Sequence, residues 1–65
     1  MIYEENDVER ELGPVPEQIR HELAAFCSSQ KKRRPLEIGI IRDRKVFFWR
    51  ARWDKDRKDW IVRRA

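Results

Sequence analysis

The sequence predicts an α+β domain of the α-β-β-β type: one amphipathic helix packed on a three-stranded antiparallel β-meander, preceded by an acidic N-terminal arm. Three observations carry this prediction. Apolar residues recur at helical spacing before Pro35, and they alternate with a period of two after it. Polar segments of turn length divide the second region into three alternating runs.

The arm spans residues 1–13 and the single small domain residues 14–65. Within the arm, Asn6 or Asp7 offers a helix N-cap, Gly13 a stop, and Val8 and Leu12 lie four apart, as in one helical turn. Met1, Ile2 and Tyr3 suit an extended segment. Five acids against one base in these thirteen residues predict a mobile or loosely docked arm. "GPVP" at 13–16 is a break.

The helix is predicted from Pro16 to Ser29. Proline fits a first helical turn because its missing N–H would be unpaired there anyway, and Glu17 favours the positive end of the helix dipole. Ile19, Leu23, Phe26 and Cys27 then form one apolar stripe. Lys31–Arg34 follow as positive charge at the C-terminal end, and Pro35 ends the helical pattern.

The strands are "LEIGII" (36–41), "VFFWRARW" (46–53) and "WIVRR" (60–64), rich in β-branched and aromatic residues. The register follows from hydrophobicity. Pairing Ile41 with Val46 sets Ile38 opposite Trp49 and Leu36 opposite Ala51. Pairing Trp53 with Trp60 sets Ala51 opposite Val62 and Trp49 opposite Arg64. Leu36, Ile38, Ile40, Phe47, Trp49, Ala51, Trp53, Trp60 and Val62 then share the face under the helix. A slip of one residue would mix arginines into it.

Sixty-five residues make one domain of modest core, so a dimer or a partner that buries more surface is an expectation. Cys27 is the single cysteine, which leaves no intrachain disulfide and no zinc spacing and predicts an intracellular, cytoplasmic chain. The first ten residues lack the apolar centre of a signal peptide, and no apolar run approaches the ~18 residues of a membrane span.

The net charge of +4 is unevenly spread: residues 1–13 carry −4, residues 14–30 carry −1 and residues 31–65 carry +9. A field of that kind attracts a polyanion or an acidic protein surface. The outward face of the predicted sheet holds Glu37, Gly39, Ile41, Val46, Phe48, Arg50, Arg52, Ile61 and Arg63. Phe48 lies opposite Gly39 and is free to stack on an unpaired base. Arg50, Arg52 and Arg63 carry guanidinium groups that grip phosphate or guanine in a bidentate manner, and Arg52 and Arg63 face no acid. Lys31, Lys32, Arg33 and Arg34, with Lys45, Lys55, Arg57 and Lys58 in the turns, add phosphate contacts that supply affinity without sequence information. The expected function is a non-enzymatic module that binds DNA or RNA through this basic and aromatic face. The alternative is a protein-interaction module (adaptor, inhibitor or homodimer) that occupies an acidic or apolar surface of a larger partner; the arginines and lysines then stay solvated or guard the sheet edges, and Phe48, Ile41, Val46 and Ile61 are covered by the arm Ile2–Tyr3 or by a second subunit.

Enzymatic chemistry and cofactors are not expected. His21 and Cys27 point in different directions on one helix, and Cys27 lies on the apolar stripe. No phosphate loop occurs. Asp54, Asp56 and Asp59 lack the glycine and distal glutamate of a calcium loop and read as turn formers, so no metal is expected.

The stretch "VFFWRARWDKDRKDWIVRR", about a third of the chain, resembles the three-stranded sheet of the arm-type DNA-binding domains of tyrosine recombinases. In that family the sheet reads the DNA major groove, so the resemblance implies a DNA-facing sheet. Here the predicted helix precedes the sheet, whereas the family's helix follows it, and no residue role is carried over.

Overall fold

The computed structural model describes all residues, 1–65. The elements are β1 (Ile2–Glu4), α1 (Asp7–Leu12), α2 (Glu17–Ser28), β2 (Leu36–Arg42), β3 (Lys45–Asp54) and β4 (Asp59–Arg64). The strands form one four-stranded sheet in the order β1-β4-β3-β2.

The meander has the predicted register. Ile41 pairs with Val46, Ile38 with Trp49, Leu36 with Ala51, Trp53 with Trp60 and Trp49 with Arg64. The β2–β3 turn is tight, with Asp43 and Arg44 at φ 51° and 64°, the left-handed pair that matches the twist of a two-residue hairpin. In the β3–β4 turn, Asp54 Oδ1 accepts the N–H of Asp56 at 2.9 Å and of Arg57 at 3.1 Å, the role foreseen for a turn aspartate. One layer of helix covers the inner face. Ile19, Leu23 and Cys27 of α2 join Val15, Ile38, Trp49, Ala51, Trp60 and Val62 in the buried cluster. Burial pushes the Cys27 thiol pKa up. Trp53 is half-buried at the rim, edge-on to Trp60.

Two expectations need correction here. The sheet is four-stranded and mixed, because the N-terminal segment is not a loose arm: β1 pairs parallel with β4, Ile2 to Ile61, Tyr3 to Val62 and Glu4 to Arg63. Phe26, placed on the buried stripe of the helix, is 43% exposed. It lies near the open end of α2, beside the unpaired edge of β2 formed by Ile38–Ile41, where no further element covers it.

A buried polar network explains why the N-terminal segment docks. Arg64 lies on the inner face, as the register requires, and would be an unpaired buried cation without help. Glu9 on α1 supplies the partner: its Oε2 lies 3.3 Å from Arg64 Nη1 and accepts from the Tyr3 hydroxyl at 3.2 Å. Glu9 Oε1 accepts the Val15 N–H at 3.0 Å. The Tyr3 hydroxyl in turn accepts from Trp49 Nε1 at 3.0 Å. Burial, with the Glu9 carboxylate beside it, raises the Tyr3 pKa, which keeps the phenol in its donating form. Asn6 caps α1 by accepting from the Glu9 N–H, and its amide donates to the Arg64 carbonyl at 2.6 Å. Gly13 ends α1 at φ 90°, its N–H on the Glu9 carbonyl. The terminal ammonium of Met1 meets Asp59 at 2.9 Å and fixes the start of β1.

Two predictions follow from this docking. Glu9→Ala strands the Arg64 charge and is expected to cost about 3–5 kcal/mol in urea unfolding, whereas Glu9→Leu with Arg64→Met removes the stranded charge and is expected to recover part of that loss, the Val15 N–H and the Tyr3 hydroxyl remaining without their acceptor. The Asp59 pKa is lowered, first by the hydrogen bond from the Met1 ammonium and then by the Trp60 N–H. Its contribution is therefore present above the unfolded value of about 3.9 and is lost as pH falls through the lower folded value. Asp59→Asn should flatten that acid limb of the stability–pH curve.

Candidate nucleic-acid interface

The outward face is organised in rows that cross the strands. The middle row runs Glu4, Arg63, Arg50, Glu37 across all four strands. Its acids stand at the ends and hold the arginines: Arg63 lies 3.1 Å from Glu4 and Arg50 lies 3.6 Å from Glu37. Arg63 was expected to face no acid. The fourth strand overturns this, because β1 brings Glu4 against it. Ile61 was expected on the solvent side. It is 2% exposed, because β4 is a central strand with Ile2 beside it on one flank and Arg52 on the other.

The row toward the start of β2 and the end of β3 is different. Arg52 forms no ion pair, and with Arg50 and Arg63 it rims an open depression of about 480 Å³ that also touches Pro35, Leu36, Ala51, Ile61 and one carboxylate, Glu37, which Arg50 holds. The α2–β2 connection reaches the sheet at this same end. Arg33 stacks on Trp53, its guanidinium carbon 3.9 Å from the ring centre. Lys31, Lys32 and Arg34 are exposed beside it. The β3–β4 turn adds exposed Lys55 and Lys58. None of Lys31, Lys32, Arg33, Arg34, Arg52, Lys55 or Lys58 makes an ion pair. Of the acids of this end, Asp54 holds its own turn and Arg57 and Asp59 holds the Met1 ammonium, while Asp56 is exposed and unpaired between Lys55 and Lys58.

Phe48 belongs to the other end of the sheet. Its ring lies over Gly39, where an added Cβ would come 3.3 Å from the ring. It is separated from Arg52 by four residues of β3, about 13 Å at ~3.3 Å per residue. Its neighbours are Ile41 and Val46. The eight residues expected to act together thus divide into three groups. Lys31, Lys32, Arg33, Arg34 and Arg52 gather at a basic end. Arg50 and Arg63 form a neutralised row in the middle. Phe48 sits in an apolar end. Of the turn cations expected to contact phosphate, Lys55 and Lys58 lie at the basic end because β3 ends and β4 begins there, Arg57 is held by Asp54, and Lys45 lies at the opposite end of β3.

No group of three or more His, Cys, Asp or Glu side chains is arranged to hold a metal ion. No helix is long and apolar enough to cross a membrane. Comparison with protein-family models, curated proteins and solved structures found no match to this chain.

With both acids in place, Arg50 and Arg63 contribute little net positive potential. Glu37→Gln together with Glu4→Gln should therefore raise the affinity of this face for a polyanion, read as tighter retention on a heparin column at a fixed salt gradient.

Proposed function

We propose that the chain is a non-enzymatic binding module that holds the phosphate backbone of DNA or RNA at its basic end. The observation that carries this reading is that seven cations without ionic partners lie on two connections and the end of β3 at one end of the sheet, Arg33 over Trp53 of the inner face and Arg52 on the outward face. Cations that lack a local acid keep their full potential for a phosphate and release its condensed counterions on contact. Both connections are exposed, and the depression beside Arg52 gives the backbone a seat with apolar walls at Leu36 and Ile61. Lysines and arginines on loops contact phosphates and leave base edges unread, so the expected binding is weakly dependent on sequence.

Titration with single-stranded and duplex oligonucleotides over a salt series tests this reading. Affinity should fall linearly in log–log form as salt rises. Arg34→Ala and Arg52→Ala should each lower the magnitude of that slope by about 1. Arg50→Ala and Arg63→Ala should change it far less, because each is already paired. Absence of salt-dependent binding at low ionic strength would overturn the proposal.

A further inference from the structure

The end of the molecule opposite the cations exposes an apolar surface. Leu12 is 66% exposed, Ile41 67%, Val46 53%, Phe48 51% and Val8 36%, and these are five of the six large apolar side chains that meet solvent. They are contiguous. Val8, Leu12, Val46 and Phe48 line one depression of about 450 Å³, and Ile41 pairs with Val46 across the hairpin. A patch of that kind on so small a domain marks an interface.

Its charges indicate the occupant. On the α1 side stand Asp7, already paired with Arg10, and Glu11; on the hairpin side stand Asp43, Arg44 and Lys45; all are exposed. Glu11, Asp43, Arg44 and Lys45 have no ionic partner within the chain. The free charges therefore leave the α1 flank net negative, through Glu11, and the hairpin flank net positive, two bases against Asp43, with apolar side chains between. We propose that it is the interface of a homodimer, in which α1 of one copy packs on the β2–β3 hairpin of the other. A two-fold axis through the patch, lying across the line from α1 to the hairpin, makes both contacts at once. It brings each Glu11 to the Arg44 and Lys45 of the other copy. The alternative axis sets like charges face to face. Nucleic acid is a poor occupant, because Val8, Leu12, Ile41 and Val46 donate no hydrogen bonds and the acidic flank repels phosphate. The dimer leaves the two basic ends pointing away from each other.

Sedimentation equilibrium from micromolar to millimolar protein tests the proposal, with far-UV circular dichroism to confirm folding. The parent is expected to approach twice the 8.0 kDa chain mass. Val46→Glu and Phe48→Ser, both at exposed positions, are expected to give folded monomers. Glu11→Lys should weaken the dimer about tenfold or more, and Glu11→Lys with Lys45→Glu should restore it. A parent that stays monomeric throughout overturns the proposal. So does a dimer indifferent to Phe48→Ser, or a charge reversal that the second substitution fails to rescue. Salt-dependent oligonucleotide binding by the folded monomeric variants would keep the basic-end reading separate from this one.

Discussion

The structure depends on the buried contact between Glu9 and Arg64. Arg64 is fixed on the inner face by strand alternation, since it stands opposite Trp49 in the β3–β4 ladder. A guanidinium 9% exposed demands an anion and further acceptors nearby. Glu9, 2% exposed, meets that demand only if α1 folds over the end of the sheet. Once it does, Tyr3 reaches Trp49, Asn6 reaches the Arg64 carbonyl, and β1 lies beside β4. One misplaced-looking arginine thus recruits the first thirteen residues into the fold.

That recruitment also shapes the surface. With β1 in place, β4 becomes a central strand, Ile61 is buried and Arg63 acquires Glu4. Four of the five acids of the N-terminal segment are engaged locally, Glu4 by Arg63, Glu5 by Arg20, Asp7 by Arg10 and Glu9 by Arg64, and Glu11 stays unpaired at the α1 end. They do not reach Lys31–Arg34, Lys55 or Lys58. The outward face is consequently divided along the strands into an apolar end, a neutral row of paired charges and a basic end.

Much of this was legible in the residues. Period-two alternation from Leu36 to Arg64 placed every strand pair of the meander correctly, because one wrong residue step would have turned Arg50 and Arg52 onto the core face in addition to Arg64, or Arg63 in place of Arg64. The stripe Ile19, Leu23, Cys27 was equally plain. The fourth strand was not. "IYE" is too short to show a period, and Glu9 sits in an acidic run whose ordinary fate is solvation. The available signal was Arg64 itself: a register that puts an arginine on the core face asks where its acid is. At the candidate site, residue type identified the cations, but only the register and the ion pairs separate those that are free from Arg50 and Arg63. Phe48 looked like part of the same surface because alternation reports the face and says nothing of position along the strand.

Hydrogen exchange at the β1 amides that bond to β4, alternate residues of 2–4 because β1 is an edge strand, tests the central claim most directly. If Glu9 and Arg64 lock the N-terminal segment to the sheet, those inward-bonded amides exchange only with the cooperative opening that also releases β3 and β4. Exchange of every amide of residues 2–4 at the rate of an unstructured peptide, while β3 and β4 stay protected, would contradict the account.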